Sequence, residues 1–425
     1  MSYRIAGIDV HKKMLAVVVA DVASEGEYQF ERRTFYTTAG QLKMLAQWFI
    51  EREVQEVVME STAQYWKPVW ESAERYWKPI CEKQPGANPM SGTLHLAQAK
   101  SNRARGGRKN DFGDAERLIR RYVAHELVLS FVPSAEQRLW RTVTRRKQQL
   151  VRDRVRLQNQ LEAFLEEAHI KLSSLISDLL GQSGRRMLKE LAEGQKDPAA
   201  IAKLADPGLR ATQAQLCDAL EAAREMNPVY RKLLKLSLEE LKGMDEQIRE
   251  LDQEMASLLA EHRDAVQRLA EVPGLGAESA QQIIAEIGPT AAAFPSAKDL
   301  ASWVGVCPGD DISAGVSHSS RSPKGNRNMR RVLNQAAHAA VKAKGSIFEV
   351  VFQRLRRGLS YAEAIWAIAH RMCRLTWILL HRGVRYEERG PSVSEASKRA
   401  RASKMMRELR RMGYRIDPPV ELEQA

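Results

Sequence analysis

Apolar residues recur along this chain with three different periods, and the changes of period mark out its parts. At the front, Arg4–Val10, Met14–Asp21 and Tyr28–Tyr36 are short, strongly apolar or alternating runs. They are separated by the turn material Val10-His11-Lys12-Lys13 and Ser24-Glu25-Gly26, which predicts three strands in an antiparallel meander. Leu42, Leu45, Trp48 and Phe49 then fall at helical spacing within Gln41–Arg52, Val54–Glu60 returns to a strand, and Tyr65–Tyr76 is again helical. Strands followed by helix, strand and helix predict an α/β mixed sheet with helices packed on it. Residues 83–110 combine Pro, Gly and Asn with a dense basic stretch and read as an exposed loop.

Beyond Ser134 the period lengthens. Val143, Leu150, Leu157 and Phe164 are spaced by seven, and Leu241, Met244, Ile248, Leu251, Met255 and Leu258 alternate steps of three and four. That is a coiled-coil seam, which could serve self-association or equally an antiparallel helical hairpin inside one chain. Residues 181–215, rich in Gly and Pro, reverse the chain between the two stretches, and residues 269–380 form a further all-α, helix-rich unit. Four parts are expected: 1–130, the helical segment 134–265, a C-terminal domain 266–385, and a basic tail 386–425.

Four carboxylates disturb this pattern. Asp9 interrupts the run Ile5-Ala6-Gly7-Ile8-Asp9-Val10, Glu60 closes Val57-Val58-Met59-Glu60, and Asp111 and Asp114 open a helix behind a positive cluster. A buried carboxylate without a partner costs several kcal/mol or takes up a proton, so acids at strand centres and ends need a cation. Asp111 and Asp114 have an ordinary alternative as helix-start acids that complement the dipole, and Glu60 as the partner of a surface lysine. Asp9 has the weakest such alternative. Together the four suit divalent ions held by oxygen, Mg²⁺ or Mn²⁺, and the chemistry of in-line phosphoryl displacement.

Charge narrows the partner. Lys and Arg outnumber Asp and Glu by 66 to 53, a net charge of +13, which fits a polyanion. Lys100, Arg103, Arg105, Arg108 and Lys109 lead straight into the acidic pair and are candidate phosphate contacts. The four cysteines form no Cys-x-x-Cys pair, so neither a zinc site nor a disulfide framework is indicated and a reducing cytoplasm is expected. No run of about 18 uncharged apolar residues occurs, so no membrane span or signal peptide is expected.

Gly7-Ile8-Asp9-Val10-His11-Lys12-Lys13, Met59-Glu60-Ser61-Thr62 and Asn110-Asp111-x-x-Asp114-Ala115 resemble the Asp-Glu-Asp-Asp, RuvC-like domain of the insertion sequence 110 family of transposases. The resemblance implies a ribonuclease H-like fold for the first domain and metal ligation by Asp9, Glu60, Asp111 and Asp114. It also implies the activity of a bridge-RNA-guided DNA recombinase acting on donor and target DNA.

A second constellation begins at Leu269-Ala270-Glu271-Val272-Pro273-Gly274-Leu275-Gly276, a helix-hairpin-helix in which Gly274 and Gly276 let backbone N–H groups approach a phosphate. Asp310-Asp311-Ile312-Ser313-Ala314-Gly315-Val316-Ser317-His318-Ser319-Ser320-Arg321 follows, then Lys324, Asn326, Arg330 and Arg331 at the opening of a helix; small residues beside a hydroxyl with cations near suit a phosphate, and Arg321, Lys324, Asn326, Arg330 and Arg331 are candidate nucleic-acid contacts. Chemistry alone does not choose among these serines. The stretch is similar to the C-terminal domain of the same family, where the serine of a Ser-small-Gly motif is the nucleophile ahead of Lys-x-Gly-Asn-x-x-Leu-Arg. By that match Ser313 is the nucleophile and forms a covalent phosphoserine, and Met329 stands where the motif has leucine. The two motifs lie about two hundred residues apart and are expected to meet by folding back or across a dimer. The resemblance implies the second, in a homodimer that assembles to a tetramer in the prokaryotic cytoplasm, at the nucleoid.

Three rival functions share parts of this pattern. A metal-dependent nuclease or Holliday-junction resolvase would use only the four acids and water. A sugar kinase or actin-like ATPase would also start with Gly-Ile-Asp on a strand before a hairpin, but needs further Gly-rich phosphate loops that are not visible. A structural nucleic-acid-binding protein would use all the acids as caps and surface pairs.

Overall fold

The computed structural model describes residues 3–22, 28–60, 63–82, 92–102, 110–309, 311–313, 316–319, 322–388 and 403, with the backbone alone for 100, 101, 311–313 and 316–319. Its residues group into two compact units, 1–135 and 136–425.

The first unit is built on a five-stranded mixed sheet. Strands β1 (Tyr3–Val10), β2 (Met14–Val22) and β3 (Tyr28–Tyr36) form the expected meander. Helix α1 (Ala39–Glu51) leads to β4 (Glu56–Glu60), which lies parallel to β1. After α2 (Trp66–Ser72), a π-helical turn (Ala73–Trp77) and α3 (Lys78–Cys81), a fifth strand β5 (Thr93–Ala97) pairs parallel with β4, giving the order β3-β2-β1-β4-β5. Helix α4 (Asp111–Val123) follows.

The period-2 alternation of a strand sends neighbouring side chains to opposite faces. Ala6, Ile8 and Val10 of β1 pack with Trp48, Phe49 and Trp77 from the α1–α3 side. Ile5, with Val18 and Val58, packs instead with Ala115, Leu118 and Ile119 of α4. The sheet is therefore covered on both faces, which is why its central strands read as nearly continuous apolar runs.

Strand β5 corrects the expectation that residues 83–110 are only an exposed loop. Its polar centre, His95, finds partners that are distant in sequence. His95 Nε2 stands 3.3 Å from Glu56 Oε2 and 2.8 Å from the Tyr122 hydroxyl, and the Tyr3 hydroxyl donates to Glu56 Oε2 at 2.7 Å. Histidine thus sits in a strand at little cost because Glu56 of β4 and Tyr122 of α4 meet its ring nitrogen, and Tyr3 of β1 in turn holds Glu56.

Among its described residues the second unit is helical apart from one small hairpin. Helix α5 (Ala135–Glu167) runs out to a cluster made by α6 (Leu172–Leu175), α7 (Gln182–Glu193), α8 (Pro198–Ala202) and α9 (Gln213–Ala219), and α10 (Pro228–Leu258) runs back. Lys147 pairs with Asp252, and Arg154 with Asp245 at 2.7 Å, so rising numbers on α5 meet falling numbers on α10. The two helices are antiparallel. Of the heptad residues, Leu150, Leu157, Leu241 and Met255 are buried within the single chain and the rest are half-buried, so an internal hairpin takes up part of the seam.

Beyond it, α11 (Arg263–Ala270), α12 (Ala277–Ile287), α13 (Ala297–Val304), α14 (Arg327–Ala340), α15 (Ile347–Leu355) and α16 (Tyr361–His381) enclose one apolar core. That core also takes Trp140 from α5 and Met255 from α10, while the distal cluster has a core of its own around Leu161, Leu188 and Leu234. Between α13 and α14 lie the antiparallel strands β6 (Asp311–Ser313) and β7 (Val316–Ser319). Among the described residues no helix is long and apolar enough to cross a membrane.

The Glu56 cluster makes a pH-dependent contribution. His95 above all, with Tyr122 and Tyr3, outweighs burial and holds the Glu56 carboxyl down at about 2, against 4.5 for an unperturbed glutamate. A depressed carboxyl stabilises the fold fully above its unfolded value and loses that contribution as pH falls through the folded one. The unfolding free energies of wild type and Glu56→Gln should therefore differ most above about pH 4.5 and converge as pH falls toward about 2. Urea titrations of both proteins across this range measure the difference, and a constant gap would contradict the assignment.

Candidate functional site

The position of Asp9 follows from strand geometry. Asp9 shares a face with Ile5 and Gly7, the face covered by α4, and β4 lies parallel in the next position with Ile8 opposite Met59. Glu60 thus ends β4 beside Asp9, on the same face as Val58. Helix α4 crosses this face so closely that a Cβ at Gly7 would stand 2.5 Å from Ala115 O and 2.7 Å from Ile119 Cγ1. Glycine is required there by proximity, and the contact brings the first turn of α4, with Asp111 and Asp114, over the end of β1.

The sequence-predicted acids do converge. Asp9 is 8% exposed, and its carboxyl is raised above the ordinary range. Burial is the main cause; His11 opposes it, and Asp114, Asp111 and Glu60 each push further upward. Asp9, His11 and Asp111 each offer a ligand atom, all within 4.8 Å of one another. Glu60 and Asp114 stand close by with protein partners: Asn102 Nδ2 donates to Glu60 Oε2 at 2.8 Å, and Arg117 pairs with Asp114. Arg117 Nε also donates to the Asn102 carbonyl at 3.2 Å, so one arginine joins the two supports.

Two polar atoms at this place are left over. His11 Nε2 lies 3.1 Å from Asp9 Oδ2 and 3.4 Å from Asp111 Oδ1, distances short enough for an ion pair, yet neither contact has the direction of a hydrogen bond. A hydrogen bond weakens steeply when misaligned, so the His11 nitrogen is left without one. Asn102 Oδ1 is likewise buried with no hydrogen-bond partner among the described residues. A buried carboxylate raised by burial and by three others, beside an imidazole nitrogen without a hydrogen bond, is a donor set that fits a divalent cation. Sequence reasoning missed His11, Asn102 and Arg117. Only His11 carried a signal, since it stands two residues beyond Asp9 and so continues the same face.

In the second unit, Gly305 ends α13 with φ +75°, and Gly325 lies against it. A Cβ on Gly325 would stand 2.2 Å from Val304 O, and one on Gly305 would stand 2.6 Å from Pro323 O. These two glycines close the neck of the segment that carries β6 and β7. Ser313 pairs through its backbone with Val316. Its side chain lies outside the described residues, as do Arg321, the Lys100 side chain, Arg103, Arg105, Arg108 and Lys109.

The remaining candidate phosphate contacts are largely engaged within the protein. Arg330 donates to Gly305 O, to Pro323 O at 3.0 Å and to Ser322 Oγ at 3.0 Å, and it stacks over Trp366. Asn326 caps α14, and Arg331 donates to Gln282 Oε1 at 2.6 Å. Gly274, at φ +85°, faces Ala336 O of α14, where a Cβ would stand 2.3 Å away. Gly276 is open at the start of α12, and Lys324 is exposed.

Comparison with known proteins agrees with these two constellations. A family model described as Transposase IS116/IS110/IS902 family matches residues 266–352, and a second, the DEDD transposase model of IS110, matches residues 6–170. Together they cover more than half of the chain. The chain belongs to the IS110 family of transposases. Among its relatives is the transposase for insertion sequence element IS1328 of Yersinia enterocolitica, 25% identical over 280 residues, which are 65% of this chain and 72% of that protein. An IS110 insertion-element protein of Streptomyces coelicolor is 25% identical over 264 residues, 58% of this chain and 64% of its own length.

One substitution tests how this family member builds its acidic site. Gly7→Ala should cost about 1–3 kcal/mol of stability, because the new methyl meets backbone that cannot swing away. It should also weaken Mn²⁺ binding by displacing Asp111 and Asp114 from Asp9. Urea unfolding and metal titration by calorimetry read the two effects, and unaltered metal affinity would refute the link.

Proposed function

We propose that this chain cuts and rejoins DNA strands for an insertion sequence, with a metal-holding acidic site in its first unit and Ser313 as nucleophile in its second. The observation that carries the reading is the convergence of Asp9, His11 and Asp111, with Glu60 and Asp114 beside them. The strand order β3-β2-β1-β4-β5, with β4 and β5 parallel to β1, supports a ribonuclease H-like, RuvC-like assignment.

Asp9, Asp111, Glu60 and Asp114 would hold Mg²⁺ or Mn²⁺, with His11 as an added nitrogen donor. Bound there, the cation supplies Lewis-acid polarisation of a phosphate and stabilises charge on its oxygens. Asn102 and Arg117 orient Glu60 and Asp114, so the carboxylates are set before a ligand arrives. Ser313 Oγ attacks the scissile phosphorus, a P–O bond to the leaving strand breaks, and that strand's oxygen takes up a proton as the serine loses one. The phosphoserine ester keeps the phosphodiester's bond energy for rejoining, which is what separates a recombinase from a hydrolytic nuclease. The net charge of +13 fits donor and target DNA as partners. Guidance by a bridge RNA and assembly of homodimers to a tetramer belong to the reading through the family resemblance.

With labelled element-end DNA and the nucleic acid that co-purifies with the protein, wild type should form a protein–DNA adduct that survives denaturing gels. Ser313→Ala should reduce it by roughly 10³-fold or more. A persistent adduct in that variant sinks the assignment of the nucleophile. Product DNA cut by wild type without attached protein would favour the metal-dependent nuclease.

Metal binding is tested without activity. At a Mn²⁺ concentration about 100-fold above Kd, the ion should stabilise wild type by about 2.7 kcal/mol. In Asp9→Asn the rise in thermal midpoint should disappear; an equal rise in both proteins would place the metal elsewhere.

A further inference from the structure

Glu286, on α12, is 2% exposed, and the reaction outlined above gives it no part. Its carboxylate gathers donors from two directions. From α5, Arg145 forms a bidentate fork, Nε to Oε1 and Nη2 to Oε2 at 3.0 Å each, and Arg141 Nε stands 3.4 Å from Oε2. From the start of α14, Asn326 Nδ2 donates to Oε2 at 2.9 Å and Asn328 Nδ2 to Oε1 at 3.0 Å.

Asn326 is used at both ends of its amide. Its oxygen accepts from the backbone N–H groups of Asn328 and Met329, each at 3.0 Å, and so caps α14 while its nitrogen is held by Glu286. One turn later Arg330 reaches back to the carbonyls of Gly305 and Pro323 and to Ser322 Oγ, joining both ends of the neck below β6 and β7. The tight Gly305–Gly325 contact leaves that neck little freedom. A shift of the first turn of α14 therefore moves the base of the segment bearing Ser313.

We propose that Glu286 is a positioning residue for strand cleavage: by gripping Asn326 and Asn328 against Arg141 and Arg145, it fixes the neck on which Ser313 is carried. The inference rests on Ser313 being the nucleophile. A buried ion pair adds little net stability over a well-packed apolar group, and what it adds is a defined geometry. Misplacement of a reacting group by about 1 Å costs on the order of 10²-fold in rate, so the effect should appear in chemistry rather than in DNA binding.

The test is an exchange of donor and acceptor. Asn326→Asp keeps an oxygen to cap α14 but turns a second carboxylate toward Glu286. Adding Glu286→Gln restores a hydrogen bond with the roles reversed, the glutamine amide donating to the aspartate. Adduct formation is followed in single turnovers at saturating element-end DNA, with DNA affinity and thermal midpoint measured alongside. N326D should slow adduct formation by about 10²-fold while DNA affinity stays within about twofold, and N326D/E286Q should recover about tenfold or more.

An unchanged rate in N326D, or a double variant no faster than N326D, overturns the proposal. So does a loss confined to DNA affinity. If N326D does not fold, Asn328→Ser removes one donor to Glu286 and leaves the cap; it should slow the adduct by about 3- to 10-fold, and an unaltered rate there is equally fatal. Absence of any adduct with wild type would overturn the nucleophile reading itself, and the positioning role with it.

Discussion

The acidic site depends on one contact between two backbones. Helix α4 lies against β1 at Gly7, with Ala115 O where a side chain would begin, and no larger residue fits. Because side chains alternate along a strand, Asp9 two residues on must emerge on the same face, toward the helix's first turn. Asp111 and Asp114 are at that turn, and the parallel register of β1 and β4 adds Glu60. Four like charges assemble here because apolar packing of Ile5, Val18, Val58, Leu118 and Ile119 holds the helix to the sheet. Electrostatics alone would drive them apart.

The second unit uses the same device for another end. Gly305 and Gly325 bring the two ends of a segment into contact, and Gly274 lets the α11–α12 turn touch the backbone of α14. In each case glycine permits a close approach that side chains elsewhere exploit. At the neck the exploiting group is Arg330, whose guanidinium joins both sides through carbonyls. Such a guanidinium is planar and always charged, with several donors in fixed directions, so it makes a more rigid tie than lysine could.

Much of this was legible in the sequence. The meander, β4 and α4 are present because strand alternation and helical spacing are local properties, and Asp9 stood out because an acid inside an apolar run has no local explanation. What escaped depended on partners brought from afar. Strand β5 was hidden because His95 is satisfied by Glu56 and Tyr122, neither of them near it in sequence. Arg330 read as a phosphate contact because a cation beside a polar loop looks the same whether its acceptors are phosphates or carbonyls. The heptads could not tell an internal hairpin from association, since both bury the same seam; the ion pairs between α5 and α10 show that a hairpin forms within the chain.

Two buried acids differ in how far their neighbours compensate them. Burial raises both Asp9 and Glu286. For Glu286, Arg145, Arg141 and Asn326 outweigh it and bring the carboxyl below its ordinary range, so the charged form is at home. For Asp9, among the described residues, His11 pulls downward while burial and three further carboxylates push up, so its charged form is disfavoured there. Keeping four acids together in that state costs stability that a purely structural role would not require, since apolar residues would pack there more favourably. Burial demands compensation in both places: for Glu286 the neighbouring cations and amides supply it, and for Asp9 a bound cation of the kind proposed above would.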